Sequence, residues 1–270
     1  MNRSSDPISI RLAAAIQFAH DAGQLTLEYF QSERLTVDRK SDDSPVTQAD
    51  RQAEQLLRRS IERLFPSDAV IGEEFGEQPG TSGYTWVLDP IDGTKSFVGG
   101  VPLYSQLIGI LAGDESVAGV ITLPALDECV FGAIGQGAWW RKRSSPPQRA
   151  RVSQRVRLSD GIFLTSQVDS FSQRGASEAY ARLERAAYVT RTWGDGYGYL
   201  LVATGRAEAM VDPLMNVWDA AAIRPVIVEA GGTFTDWQGQ STIHHGEGIA
   251  TNGHVREEVL KITRDYPKPS

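Results

Sequence analysis

Cysteine is almost missing from this chain: Cys129 stands alone among 270 residues. A lone thiol excludes an internal disulfide framework and fits a reducing compartment. Cys129 lies in an apolar strand-like run, Glu128-Cys129-Val130-Phe131, and reads as small core filling. No arginine follows it six residues on, so a cysteine-phosphatase loop is excluded as well. Histidine is scarce, and His20, His244, His245 and His254 all lie outside any Arg-His-Gly context. Positive charge is not in excess: 27 Lys and Arg face 34 Asp and Glu, for a net charge of -7. That balance leaves no general electrostatic footprint for nucleic acid. The one basic run, Arg141-Lys142-Arg143 to Arg149 and Arg151, sits among Ser and Pro and predicts a solvated hairpin tip. No apolar stretch approaches the roughly 20 residues that span a bilayer, and Met1 to Asp6 form no apolar signal core. The sequence thus predicts a cytoplasmic protein with neither membrane nor nucleic acid as partner. Walker A and Gly-x-Ser-x-Gly motifs are absent, and the Gly132 to Gly137 run is explained by tight strand turns.

What is present is an ordinary globular composition, 41% hydrophobic and 23% charged. The length suits one large domain or two modest ones sharing a core. Residues 6–31 predict a helix capped by Asp6, with Pro7 in its first turn and an apolar stripe through Leu12, Ala15, Ala19 and Leu27. Thr47-Gln48-Ala49-Asp50 is a capping box, and the helix it opens stops at Phe65-Pro66. Strands are expected at 69–73, 84–89, 104–112, 117–123, 128–134 and 137–141, several joined by short turns that imply antiparallel pairing. Thereafter strands near 161–165, 188–193, 207–212, 233–236 and 248–251 alternate with helices near 174–186, 196–204 and 217–230, and a last helix covers 254–263. The pattern predicts an α+β half, 1–152, joined to an α/β half, 153–270.

The chemistry concentrates between residues 71 and 97. Glu73 and Glu74 stand at one strand end, and Asp89 and Asp92 at another, with Gly93 and Thr94 opening a turn into a helix. Pro90 lacks an amide donor and interrupts the ladder, so the chain turns and aims both aspartates and the Ile91 carbonyl at one centre. Four carboxylates with no His or Cys beside them favour a hard cation such as Mg²⁺. A helix start beside them offers free amides to a phosphate. Thr94 serves as an N-cap or as the hydroxyl that, with a carboxylate, orients and deprotonates water. Asp50 and Asp219 each have a capping role available, beside a role near the metals. The order Asp89-Pro-Ile-Asp92-Gly-Thr94 has one residue too many for the Asp-x-Asp of haloacid dehalogenase-type phosphatases.

Val46-Thr47-Gln48-Ala49-Asp50, Glu73-Glu74, Asp89-Pro-Ile-Asp92-Gly-Thr94, Trp218-Asp219 and Glu229-Ala-Gly-Gly232 together resemble the inositol monophosphatase superfamily, over roughly residues 8 to 262. The resemblance implies a five-layer αβαβα sandwich and hydrolysis of small phosphomonoesters with two or three Mg²⁺ ions. It implies that Glu73, Asp89 and the Ile91 carbonyl hold one metal, and that Asp89, Asp92 and Asp219 hold a second. Glu74, Thr94 and Asp50 would act on the attacking water, and the Gly93 and Thr94 amides would hold phosphate oxygens. Lys95-Ser96, Gly194-Asp195-Gly196-Tyr197-Gly198-Tyr199 and Val211-Asp212-Pro213 resemble the histidinol-phosphate phosphatase branch. That substrate carries an amine and an imidazole, so carboxylates at Asp195 and Asp212, beside Asp92, suit it. Capping by Asp195 and strand termination at Asp212 stay open as structural alternatives. Arg191 and Lys40, the latter in a 36–46 loop placed to close over the metals, either reach the substrate or support the site. The alternatives are an inositol-1-monophosphatase or nucleotide-bisphosphate phosphatase, or a regulatory homologue with little turnover. Family members are often homodimers, and Trp139-Trp140 would serve such an interface or the core.

Overall fold

The computed structural model describes residues 6–33, 35–39 and 45–269; Lys40 lies outside them. Helix α1 (Pro7–Tyr29) is capped by Asp6, whose carboxylate accepts the Ser9 amide at 3.1 Å. A two-stranded ribbon, β1 (Val37–Arg39) and β2 (Pro45–Thr47), leads into α2 (Gln48–Leu64), which the predicted Thr47/Asp50 capping box opens.

The large sheet contains β3 (Ala69–Gly72), β4 (Gly76–Gln78), β5 (Tyr84–Asp92), β6 (Ser105–Ala112), β7 (Glu115–Leu123), β8 (Glu128–Ala133), β9 (Gly137–Lys142) and β10 (Gln148–Arg149). Its order is β10-β9-β8-β7-β6-β5-β3-β4, antiparallel throughout except for the parallel pair β3–β5. The short helix α3 (Thr94–Val98) follows β5. The second half builds β11 (Ile162–Leu164), α4 (Asp169–Gln173), α5 (Ser177–Ala186), β12 (Val189–Arg191), α6 (Gly196–Ala203), β13 (Ala209–Asp212), α7 (Val217–Glu229), β14 (Thr233–Thr235), β15 (Gly248–Thr251) and α8 (Arg256–Thr263). Its five strands run β12-β11-β13-β15-β14.

Period-two alternation assigns the layers, since successive residues of a strand face opposite sides. Trp86 and Leu88 of β5 pack with Leu12 and Phe18 of α1 and Leu57 and Ile61 of α2. Val87 between them turns to the other face and joins Leu200 of α6, Ala221 and Val226 of α7, and Met210 of β13. Ala209 and Val211, flanking Met210, face outward onto Leu183 of α5 and Val259 of α8. The stack is therefore α1/α2, large sheet, α6/α7, small sheet, α5/α8, the expected five-layer αβαβα sandwich. The middle layer draws on both sheets, so the two halves share one buried core.

The seating of α7 depends on missing side chains. A Cβ on Gly119 of β7 would stand 1.9 Å from the Ala222 carbonyl oxygen, and one on Gly109 of β6 would stand 2.6 Å from the Ala221 Cβ. Glycine in the sheet and alanine in the helix let backbone approach backbone, which fixes where α7 begins and hence where Asp219 sits.

Several expectations differ in detail. β5 continues through Pro90 rather than stopping at Asp89: its ladder to β6 skips a register step and resumes at Asp92 opposite Ser105. A bulge accommodates the missing amide. The expected helix 174–186 starts only at Ser177, as α5: Arg174-Gly175-Ala176 form a turn, with Gly175 at φ 73°, after the separate short helix α4. The basic run does form the β9–β10 hairpin, where Arg149 covers Trp139 at 4.1 Å. Trp140 packs against the shared core, its indole N–H donating to Glu128 at 2.7 Å. Cys129 is core filling, and burial pushes its thiol up to about 11. No helix among the described residues is long and apolar enough to cross a membrane.

Candidate active site

One cavity of about 340 Å³ lies where β3, β5 and β13 end and α3, α6 and α7 begin. Strand ends and helix starts share this edge because the chain leaves each strand there to enter a helix, which also collects unpaired amides. Asp89, Asp92 and Asp219 offer carboxylate oxygens that all lie within 4.8 Å of one another. Asp89 is clamped by its own turn, its Oδ1 accepting the Ile91 amide at 3.1 Å. Asp92 Oδ2 accepts the Ser105 hydroxyl and, at 2.6 Å, the Gly196 amide. Asp219 sits in the first turn of α7 with Oδ2 on the Asn216 amide at 2.6 Å. Each aspartate is thus tethered through one oxygen within the fold.

Such a cluster is electrostatically costly. Burial, then the charges of Glu73, Asp92 and Asp219, raise Asp89 well above the carboxylate range. Burial, with Asp195 and Asp219 nearby, raises Asp92 well above it too, against the Ser105 and Gly196 hydrogen bonds. Burial lifts Asp219 to about 7 despite the Asn216 amide, with Glu73, Asp195 and Asp212 adding to the rise. Three proton-hungry carboxylates facing one space are the donor set of a hard cation, and this geometry fits the Mg²⁺ expected from the sequence.

The other predicted residues are placed as follows. Glu73 and Ile91 line the cavity with Gly93 and Thr94. Gly93 has φ 82°, and no side chain caps α3. The Thr94 hydroxyl lies 3.2 Å from the Ile91 carbonyl and 3.4 Å from Asp50 Oδ1. Asp50 is buried behind it, lifted to about 6 by burial against hydrogen bonds from Thr47. Glu74 is not among the lining residues; its amide points to Glu54. Asp195 and Asp212 line the cavity, whereas Arg191 is exposed, donates to the Thr190 carbonyl at 2.7 Å and lies near the Trp193 ring at 5.9 Å.

Some residues escaped the sequence. Glu54 is fully buried in α2, and its carboxylate accepts the Glu74 amide at 2.8 Å, the Phe75 amide at 3.3 Å and Arg58 Nε at 2.8 Å. It therefore holds the turn that presents Glu73 and Glu74. Its signal is legible after the fact, since it shares the stripe of Leu57 and Ile61 at helical spacing. Glu54→Ala leaves two amides and Arg58 without their acceptor. We expect a loss of about 3 kcal/mol in urea unfolding together with reduced turnover; an unchanged midpoint and rate would show the turn holds itself. Ser105 and Ser166, which grip Asp92 and Asp212, carry no motif that marks them, whereas Tyr199, which also holds Asp212, closes the Gly194 to Tyr199 segment.

The layered fold and the carboxylate-lined cleft beside an uncapped helix start define a phosphoryl-transfer type of site. The model of the inositol monophosphatase family matches residues 9–268, and the chain belongs to that family. A histidinol-phosphatase from Chlorobaculum parvum is 41% identical over 253 residues, 93% of this chain and 96% of that protein. A histidinol-phosphatase from Streptomyces coelicolor is 37% identical, covering 93% of this chain and 95% of its own. Among solved structures, the extragenic suppressor protein suhB from Bartonella henselae superposes with a TM-score of 0.87 at 29% identity, over 95% of this chain and 99% of that one.

Proposed function

We propose that this protein is a magnesium-dependent phosphomonoesterase that hydrolyses L-histidinol phosphate to L-histidinol and phosphate, a step of histidine biosynthesis. The observation that carries the reading is the Asp89–Asp92–Asp219 cluster with a further carboxylate, Asp195, at the adjoining Gly93. A phosphate-and-cation site next to an extra carboxylate suits a substrate that is itself cationic. Identities of 37–41% to proteins named histidinol-phosphatase support the same choice.

Asp89, Asp92 and Asp219, with Glu73 and the Ile91 carbonyl, would hold two or three Mg²⁺ ions. When bound, Mg²⁺ supplies positive charge to the phosphate and acidifies the attacking water. The chain contributes the rest. Gly93 and Thr94 amides at the start of α3 receive phosphate oxygens. The Thr94 hydroxyl accepts from the attacking water while its own proton faces Asp50 Oδ1 at 3.4 Å. With a pKa of about 6, Asp50 can hold that proton near neutral pH. Glu74 is the second carboxylate proposed to orient the water. Asp92, Asp195 and Arg191 are the substrate-side residues of the proposal, with Asp212 lining the cavity behind Asp195, and the 1–152 half supplies most of the metal site while 153–270 supplies most of the specificity. The enzyme is further proposed to work in the cytoplasm as a homodimer, on a small molecule and without membrane or nucleic-acid partners.

The test is phosphate release with Mg²⁺ from histidinol phosphate and from inositol 1-phosphate. A preference of about a hundredfold or more in kcat/KM, about 2.7 kcal/mol, is expected for histidinol phosphate. Comparable rates would leave a general inositol-type phosphatase, and no release from either, with EDTA without effect, would sink the metal-hydrolase reading.

A further inference from the structure

We infer that the enzyme reads its substrate chiefly through an ammonium on the carbon next to the ester carbon, that Asp195 is the residue reading it, and that Asp212 is a positioning residue behind it. This rests on the phosphomonoesterase reading above and narrows it to a chemical class: 2-ammonioalkyl phosphates.

Asp212 has no acceptor capacity left. Its Oδ1 takes the Ser166 amide at 2.8 Å and the Thr165 hydroxyl at 3.2 Å; its Oδ2 takes the Ser166 hydroxyl at 2.9 Å and the Tyr199 hydroxyl at 2.7 Å. A carboxylate offers about four lone-pair directions, and all are used within the fold. Only 4% of Asp212 is exposed. What Asp212 fixes is Ser166, which packs against Gly194, the residue before Asp195: a Cβ on Gly194 would stand 2.3 Å from the Ser166 Cα.

Asp195 is different. It stands at the N-cap of α6 but its side chain makes no capping bond, and the Gly196 amide beside it goes to Asp92. Lys95 is a positive charge acting on it, yet no ion pair joins the two among the described residues, and the Lys95 ammonium is drawn 2.6 Å from Gln167 Oε1. A Cβ on Gly93 would stand 2.3 Å from Asp195 Oδ2, so this oxygen rests against the Gly93 backbone. That backbone is the proposed phosphate cradle. A carboxylate there repels the phosphate unless a cation lies between them. An ammonium carried close to the ester oxygen is the cation that the substrate itself can place there. The outer wall beyond, with Gln167, Ser170 and Gln173, offers no carboxylate and carries the Lys95 ammonium at Gln167, so it can receive the rest of the molecule without demanding an imidazole.

The probe is 2-aminoethyl phosphate against ethyl phosphate, with the whole chain and Mg²⁺. The wild type should prefer the amine by about thirtyfold in kcat/KM, the value of one charge-assisted bond. Asp195→Asn should bring that ratio to near one while Mg²⁺ binding, measured by calorimetry, is retained. Asp212→Asn should lower kcat/KM for both esters alike and keep the ratio. A wild-type ratio near one, with histidinol phosphate still hydrolysed, would overturn this inference alone. So would a ratio that survives Asp195→Asn, a ratio lost on Asp212→Asn, or a tenfold loss of Mg²⁺ affinity in Asp195→Asn. Inert histidinol phosphate would overturn the functional reading and this inference with it.

Discussion

Asp92→Asn is expected to lower kcat/KM by about a thousandfold or more while making the metal-free protein more stable. The two effects have one cause. Asp92 faces Asp89, Asp195 and Asp219 across a buried space; burial first, and then the charges of Asp195 and Asp219, raise its pKa well above the usual range. An amide of the same shape removes that repulsion, and its carbonyl oxygen can still accept from Ser105 and the Gly196 amide. Relief of about 1–2 kcal/mol would raise the melting temperature by a few degrees for a chain of this size. Loss of a charged donor, by contrast, removes transition-state stabilisation worth about 3–4 kcal/mol or more. Calorimetry with EDTA and phosphate release with Mg²⁺ measure the two sides separately. Residual activity within tenfold of wild type would sink the assignment of Asp92 to the metal centre. A fall in the metal-free melting temperature would mean Asp92 holds the fold rather than straining it.

The same residue marks the boundary of what the sequence could convey. Asp89, Asp92, Gly93 and Thr94 were legible because the chemistry is local: a strand end, a proline and a glycine compress the donors into a few residues. The division into an α+β half and an α/β half was legible from hydrophobic period and turn spacing; the five layers were implied only by the family resemblance. The strand order of the small sheet, with β15 inserted between β13 and β14, was not, since antiparallel insertion leaves no trace in local pattern. Nor was the partner of each carboxylate. Asp195 invites reading as the cap of α6, but its side chain makes no capping bond, and the first amide of that helix goes to Asp92, 104 residues away in the chain. Asp212 looked like a second substrate carboxylate, and only the coordinates reveal four donors filling it. Glu54 sits in a charged amphipathic helix where a solvated face is the ordinary expectation; its destination is a turn 20 residues downstream. Spacing conveys which residues approach a site when they are neighbours in sequence, and not which lone pairs remain when they are distant.

The second large effect is an opposite response of the metal-free and metal-loaded proteins to pH. Asp219 at about 7 and Asp50 at about 6 lie above the 3.8 usual for Asp, mainly through burial. Between about pH 4 and 7 the folded chain therefore keeps protons that the unfolded chain has released. Groups raised in this way contribute stability that is fully present below the unfolded pKa and is lost as pH rises through 6 to 7. With EDTA, the melting temperature should fall by about 5 °C between pH 5 and 8. Asp68 works the other way: burial alone would raise it, but hydrogen bonds from Arg11, Ser82 and Trp86 outweigh burial and hold it below 3.8. Its contribution is lost only in stronger acid, outside this window. Mg²⁺ needs the deprotonated carboxylates, so its stabilisation should be near zero at pH 5 and grow to pH 8, with protons released on binding. The two melting curves should thus converge in acid and separate in base. Curves that stay parallel across the range would show that the cation binds somewhere other than Asp89, Asp92 and Asp219.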